Sequence, residues 1–165
     1  MTTARTSFAR RSFRGVAVAA IAGAGIALSP LPASAHTAVA ASASATAVSS
    51  AAQTAVNTAL AQVGDRYVYG ATGPNSFDCS GLTSFSYKAA GISLPRTSKA
   101  QSTFGTPVAK ADLKPGDLVF FYSPVSHVAM YIGNGQIVHA LNASKPVQVM
   151  KLDSMPSYAG ARRVA

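Results

Sequence analysis

The sequence predicts an α+β domain in which helices come first and an antiparallel sheet of about five strands follows. Two observations carry this prediction. Between residues 53 and 90, apolar residues recur at three- and four-residue intervals, which is the period of a helix with one buried face. From Lys114 onward the pattern alternates with a period of two, which is typical of strands. We therefore expect N-terminal helices packed on an antiparallel sheet.

The first segment, residues 1–35, has the pattern of a signal peptide. Residues 1–14 carry four arginines and no acid, and Gly15 to Leu28 form an uncharged apolar run. That run is too short to span a membrane, and Ala33-Ser34-Ala35 offers a cleavage site. We expect a secreted protein without stable membrane insertion after cleavage. An uncleaved anchor is the alternative, and Arg10-Arg11 leaves open a twin-arginine export route.

Charge and length exclude some classes of function. The chain has 165 residues and a formal charge of +9, whereas residues 36–165 keep ten of the cations and all five acids, which gives +5. These cations are scattered and lack the aromatic interleaving of a nucleic-acid binder, so no nucleic-acid partner is expected. A basic exported protein instead suits an anionic envelope. The length after cleavage fits one compact domain, which we expect to be monomeric.

The predicted domain follows a spacer. Residues 36–52 are almost entirely Ala, Ser, Thr and Val, which cannot bury much surface, and we expect a flexible linker there. Residues 53–165 should form the folded domain. It should open with a helix that starts near residue 53 and stops at Gly64-Asp65. The predicted buried face of this helix carries Val56, Ala59, Leu60 and Val63.

A second predicted helix, residues 79–90, begins at Cys79, the only cysteine in the chain. Gly91 is a suitable residue to end it, and Leu82, Phe85 and Ala89 share its apolar face. A thiol at a helix N-terminus is near free backbone N–H groups and the positive end of the dipole, which favour a thiolate. A lone cysteine excludes an internal disulfide and is a candidate nucleophile, although taken alone it could equally be a small buried residue.

The remaining elements are a short helical turn and five strands. The turn is expected at Ser98 to Phe104. The strands are expected at Leu118 to Tyr122, His127 to Ile132, Gln136 to Ala140, Pro146 to Leu152 and Ala161 to Val164.

The hairpin between the second and third strands carries two histidines. A three-residue loop, Gly133 to Gly135, would pair Ile132 with Gln136 and place His127 and His139 on one face. A loop one residue shorter would place them on opposite faces.

Together, Cys79, His127 and His139 supply a nucleophile, a base and an orienting group. His127, at the mouth of a strand, is the expected base, and His139 the expected orienter. A zinc site is the competing interpretation, but it needs three or four ligands and these three are the only soft candidates in residues 53–165. We therefore expect no metal and no cofactor.

Six segments of the sequence form an ordered set: Tyr67 to Gly70, Phe77 to Leu82, Leu94 to Ser98, Lys114 to Phe121, His127 to Gly133 and Val138 to Ala140. In order and spacing this set resembles the NlpC/P60 cell-wall endopeptidases. The resemblance covers about residues 53–165 and identifies them as a catalytic domain of a wall-associated protein. It implies a papain-like cysteine peptidase fold and cleavage of peptidoglycan stem peptides, usually between D-γ-glutamyl and a diamino acid such as diaminopimelate.

By this resemblance, Cys79 matches the nucleophile, His127 the general base and His139 the third polar residue. Tyr67 matches a tyrosine whose hydroxyl lies near the oxyanion or the substrate carbonyl.

Asp78 and Ser80 match residues that contact the substrate in some members, where the Asp pairs with a free amine of the stem peptide. Arg96 is a further candidate, for binding a substrate carboxylate. The structural alternatives are a helix cap for Asp78, a solvent-facing Ser80 and a surface-turn cation for Arg96.

Other functions remain open at this point. The same fold and acyl-enzyme could serve an amidase that cuts the muramoyl to L-alanine bond, or an acyltransferase. A wall-binding or interaction protein without catalysis is a third alternative, although the intact Cys79, His127 and His139 set argues against it.

Overall fold

The structure is a computed structural model and describes residues 48–165. The expected signal peptide and the expected spacer up to residue 47 lie outside the described residues. Helices and a short parallel strand pair precede a six-stranded antiparallel sheet, which confirms the predicted α+β class. No helix within residues 48–165 is long and apolar enough to cross a membrane.

Helix α1 spans Ser50–Leu60, so it begins before the expected start near residue 53. The side chain of Ser49 caps it by accepting a hydrogen bond from the N–H of Ala52 at 3.0 Å. The predicted buried face was partly wrong, because Leu60 and Val63 are 38% and 48% exposed. The helix buries a stripe of small residues instead, which lets it approach the next helix closely. That stripe consists of Ala52, Ala55, Val56 and Ala59.

Helix α2 spans Cys79–Ala89, as predicted, and Gly91 follows with a φ of +79°. Its buried face includes Leu82 but not Ala89, which is exposed. Periodicity also missed Tyr87, which is fully buried and donates its hydroxyl proton to the Gly116 carbonyl oxygen at 2.6 Å. The hydrogen bond explains the burial of a phenol, since the polar atom has a partner inside the core.

Short elements frame the start of α2. Strands β1, Arg66–Tyr67, and β2, Ser76–Phe77, form a two-stranded parallel sheet immediately before it. Helix α3, Ser98–Gln101, occupies the position of the predicted helical turn and packs near α2. These three elements bring the segments before and after α2 to its N-terminal end.

The large sheet has the strand order β3-β8-β4-β5-β6-β7. The edge strand β3 was not predicted. It is short, largely exposed and contains Pro107, so it shows no apolar alternation. The last strand, β8, pairs between β3 and β4 instead of extending the meander. The six strands are β3 Thr106–Val108, β4 Leu118–Phe121, β5 His127–Gly133, β6 Gln136–His139, β7 Gln148–Lys151 and β8 Tyr158–Arg163.

The β5–β6 hairpin differs from the predicted loop. Gly133 pairs with Gln136, so the turn is the two-residue pair Asn134-Gly135, with φ of +52° and +69°. Positive φ at both central residues is the geometry that a two-residue hairpin favours. The predicted three-residue loop and its pairing of Ile132 with Gln136 were therefore wrong.

A bulge compensates for the shorter turn. The register shifts between Tyr131 and Gly133, and Tyr131 pairs with Ile137, which is the register that the longer loop would have given. Ile132 is the extra residue in β5, and because of it the residues before Tyr131 point to the same faces as they would with the longer loop. His127 and His139 consequently share a face, and that part of the prediction is confirmed by their side-chain contact.

The fold should depend on the buried hydroxyl of Tyr87. Tyr87→Phe leaves the Gly116 carbonyl oxygen without its partner, and we expect the free energy of unfolding to fall by about 1–2 kcal/mol in urea denaturation. Tyr69→Phe is the matched control, because Tyr69 is 88% exposed and its hydroxyl contributes little to stability. Equal stability of the two variants would contradict this role for Tyr87.

Candidate active site

A cleft of about 450 Å³ opens at the N-terminal end of α2. Ser126, which precedes His127, is part of its wall, so the buried histidine pair lies directly behind the cleft. The cleft brings together five of the seven residues predicted from sequence: Tyr67, Asp78, Cys79, Ser80 and Arg96.

The parallel pair β1–β2 positions Tyr67. Tyr67 is the register partner of Phe77, and the Val68 N–H donates to the Phe77 carbonyl oxygen at 3.0 Å. Tyr67 is thereby held beside the chain that enters α2 at Cys79. Burial, followed by the nearby charges of Cys79 and Asp78, raises the pKa of Tyr67, so its hydroxyl stays protonated and can donate a hydrogen bond.

The two histidines are joined by their rings. Nε2 of His127 lies 3.0 Å from Nδ1 of His139, and both side chains are buried, with 4% and 0% of each residue exposed. When His127 donates the shared proton from Nε2, its Nδ1 carries a lone pair, which is what a general base needs. The contact with His139 thus restricts the orientation of the His127 ring.

Burial sets the protonation state of both rings. It lowers the pKa of His127 to about 3, with a further contribution from His139. It also lowers the pKa of His139 to about 4, and the positive charge of Lys145 adds to this shift. Both imidazoles are therefore neutral at physiological pH.

The pKa of the Cys79 thiol is raised, mainly by burial and then by the negative charge of Asp78. Backbone N–H groups, including those of Val128 and Ser80, act in the opposite direction, as expected at a helix N-terminus. Desolvation outweighs these donors, so the net shift in the thiol pKa is opposite to the one that the helix N-terminus alone would give. The two shifts favour a neutral thiol and a neutral imidazole at rest. The Val128 N–H also places the sulfur next to the start of β5.

A bidentate ion pair closes one wall of the cleft. The Arg96 guanidinium donates to both Asp78 carboxylate oxygens, at 3.1 and 2.6 Å, and to the Ser80 hydroxyl at 2.9 Å. Asp78 also caps α2 through the Gly81 N–H at 2.6 Å and accepts from the Gly70 N–H at 2.9 Å. Asp78 is therefore a helix cap, and Ser80 is buried instead of facing solvent. Arg96 is bound by Asp78 and Ser80, so it is not a free cation in a surface turn.

Sequence reasoning missed Gln101, which is fully buried at the end of α3. Its Nε2 donates to the Ser80 carbonyl oxygen at 3.2 Å and to the Pro95 carbonyl oxygen at 2.9 Å. Its Oε1 accepts from the Thr83 hydroxyl at 2.8 Å. Gln101 thus fixes the Arg96 loop against α2. The sequence offered one sign of this role, because Gln101 is an uncharged polar residue about one helical turn after Ser98. Ser98 itself lines the cleft.

Within the part of the chain that the structure describes, no three His, Cys, Asp or Glu side chains converge in a way that could hold a metal ion. The donor set at the site is one thiol and two imidazoles, of which the imidazoles are engaged with each other.

Sequence similarity connects the chain to one protein family. The model of the NlpC/P60 family matches residues 64–163. A probable endopeptidase of Corynebacterium glutamicum is 51% identical over 114 residues, covering 69% of this chain and 54% of that protein. A gamma-D-glutamyl-L-lysine dipeptidyl-peptidase of Bacillus cereus is 41% identical over 121 residues, covering 68% of this chain and 36% of that protein. The chain spans about half the length of these curated relatives, or less.

Solved structures agree with this assignment. The peptidoglycan hydrolase RipB of Mycobacterium tuberculosis has a TM-score of 0.63 at 28% identity, covering 69% of this chain and 64% of that chain. An NlpC/P60 family protein of Bacillus cereus has a TM-score of 0.66 at 41% identity, covering 68% of this chain and 40% of that chain. These likenesses confirm the predicted fold.

The neutral histidine pair predicts acid sensitivity. Both folded-state pKa values lie below the unfolded value of 6.5, so the unfolded chain binds more protons as the pH falls. The stability that the neutral rings contribute is fully present above about pH 6.5 and is lost as the pH falls through about 4 and 3. His139→Gln removes one of the two titrating rings. Between about pH 7 and pH 5, we expect the free energy of unfolding of this variant, measured by urea denaturation, to fall by ~2 kcal/mol less than that of the unmodified protein. Equal losses in the variant and the unmodified protein would contradict this.

Proposed function

The chain belongs to the NlpC/P60 family, and on that premise we propose that it is a cysteine peptidase that hydrolyses stem peptides of peptidoglycan. One observation carries the proposal. The His127–His139 contact stands behind a cleft that exposes Cys79 at the start of a helix. A nucleophile, a base and an orienting group are thereby available to one bound substrate. The names of the relatives support the substrate class.

In the proposed mechanism, His127 Nδ1 accepts the Cys79 proton as the sulfur attacks the substrate carbonyl carbon. Because both groups are neutral at rest, proton transfer accompanies the attack. The Tyr67 hydroxyl and the Cys79 backbone N–H donate hydrogen bonds to the oxyanion. His127 then returns the proton to the leaving amine, and water hydrolyses the thioester.

We propose that the bond cleaved joins D-γ-glutamyl to the diamino acid. A γ-linked glutamyl residue keeps a free α-carboxylate, and Arg96, with its side chain 43% exposed, offers a cation on the cleft wall. The Arg96–Asp78 pair has no net charge, so Asp78 does not repel that carboxylate, and the exposed part of the guanidinium keeps N–H groups that can donate to it. The Bacillus cereus relative is named for a γ-D-glutamyl bond, which supports this choice.

We further propose that the protein is exported and acts at the cell wall. The support is the arginine-rich start, the short apolar run and the cleavage pattern that ends at residue 35. The positive charge of residues 36–165 favours an anionic envelope. Detection of a mature N-terminus after Ala35 in culture medium or wall extracts would test this, and a cytosolic precursor alone would contradict it.

Cys79→Ala should abolish digestion of purified peptidoglycan, with release of soluble peptides falling by at least about 10³-fold because no acyl-enzyme can form. Thr54→Ala, on the exposed face of α1, is the matched control and should retain activity. Mass spectrometry of the fragments identifies the bond. A new N-terminal diamino acid supports endopeptidase cleavage, whereas a freed L-alanine amine supports an amidase. Continued release by the Cys79→Ala protein would refute the mechanism.

Arg96→Lys keeps the charge but loses the two-pronged contact with Asp78 and Ser80. We expect KM for a γ-D-glutamyl peptide to rise by about tenfold, because the cation is no longer held at the cleft wall. Steady-state kinetics would measure this. Arg162→Lys, which changes an arginine on β8 away from the cleft, is the control. An unchanged KM in Arg96→Lys would contradict the expectation that the forked contact with Asp78 and Ser80 holds the cation for the substrate.

A further inference from the structure

A second cavity, of about 420 Å³, adjoins the first. Tyr67 lines both, so the proposed oxyanion donor forms the boundary between them. The wall of the second cavity comes from two segments, residues 66–68 and residues 143–146. Its charged side chains are Arg66 and Lys145, and no acidic side chain lines it.

Backbone hydrogen bonds join the two segments that carry the cations. The Gly64 N–H donates to the Val147 carbonyl oxygen at 2.9 Å, and the Val147 N–H donates to the Asp65 carbonyl oxygen at 2.8 Å. Val147 is fully buried, which anchors this junction in the core. Arg66 directly follows one side of the junction, and Lys145 precedes the other side by two residues. The backbone pairing at this junction therefore brings Arg66 and Lys145 to the same cavity.

The loop that carries Lys145 also has hydrogen bonds between its own residues. The Asn142 carbonyl oxygen accepts from the Lys145 N–H at 3.1 Å, and the Asn142 side chain accepts from the Ser144 N–H at 3.0 Å. This compact turn presents Lys145 and Ser144 to the same cavity.

The ion pairs found within residues 48–165 join Arg96 to Asp78, Lys110 to Asp153 and Arg163 to Asp117. Arg66 and Lys145 belong to none of them. Two cations facing a cavity without an acid attract an anion, and a carboxylate with two oxygens can accept from both.

The cavity lies on the histidine side of the site. Residues 143–146 begin four residues after His139, the last residue of β6, and the Lys145 charge acts on that ring. The leaving amine must receive its proton from His127, so the leaving half of the substrate departs toward the histidines. Arg96, Asp78 and Ser80 line the other cavity, which the proposed function assigns to the acyl half.

We propose that the cavity between Arg66 and Lys145 binds a carboxylate of the leaving half of the stem peptide. This inference rests on the proposed function and deepens it, because it names what selects the diamino acid. Diaminopimelate differs from lysine by one side-chain carboxylate, which is the feature that such a cavity would recognise. A free α-carboxylate at the end of a short stem has the same chemistry and is the second source.

Four peptides separate these sources. Each is L-Ala-γ-D-Glu-X, where X is diaminopimelate or lysine and its α-carboxylate is free or amidated. We expect the unmodified protein to favour one carboxylate by about tenfold in kcat/KM, the scale of a charge-assisted contact. A preference for diaminopimelate over lysine identifies the side-chain carboxylate, and a preference for free over amidated termini identifies the α-carboxylate.

The double variant Arg66→Gln/Lys145→Gln should reduce that preference to twofold or less. Lys88→Gln/Lys151→Gln removes the same charge from residues that line neither cavity and should keep it. The preference should also weaken in high salt. A preference that survives in the first double variant, or that is absent from the unmodified protein, would overturn the inference.

Calorimetric binding to the Cys79→Ala protein separates this inference from the proposed function. If no peptide is hydrolysed by the unmodified protein, the proposed function fails, yet binding still reports on the cavity. We expect Arg66→Gln/Lys145→Gln, added to Cys79→Ala, to weaken binding of the preferred peptide by about tenfold. Equal affinity with and without the two cations would refute the carboxylate site.

Discussion

The carboxylate of Asp78 joins the parts of the chain that make the cleft. It caps α2 through Gly81, receives the Gly70 N–H, and takes two hydrogen bonds from Arg96. The helix that carries Cys79, the β1–β2 loop and the segment before α3 therefore meet at one buried charge. Because Asp78 is only 6% exposed, the loss of any one partner would leave part of a buried anion unpaired, which is costly.

Desolvation gives the site its second constraint. The same burial that holds His127 against His139 also keeps both rings and the thiol neutral. A neutral resting pair suits a hydrolase in which charge develops only after the substrate has bound. The substrate carbonyl that enters the cleft displaces water, and its oxygen carries the developing negative charge. In the proposed mechanism, the backbone N–H groups near Cys79 stabilise an anion that forms only during attack.

The sequence predicted the elements whose patterns are local. The helix at Cys79 and the strands β4 to β6 follow from periodicity. The shared face of the two histidines was predicted from a loop length that was wrong, and in the structure it depends on the bulge between Tyr131 and Gly133. It could not predict β3, which has no alternation, or the insertion of β8 beside β4, because strand order depends on distant pairings. It also missed Gln101, whose role arises only when α3 docks on α2. The family resemblance supplied residue roles that spacing alone did not.

The bulge at Ile132 has a consequence for how the hairpin can vary in length. Side-chain direction alternates along a strand, so His127 and His139 remain on one face only if the residues between them keep their odd or even count. A single insertion or deletion there would separate the rings while leaving every neighbouring residue unchanged, unless another bulge offset it. Among related chains, we expect length changes in this hairpin to occur in twos, or to be accompanied by gain or loss of the bulge.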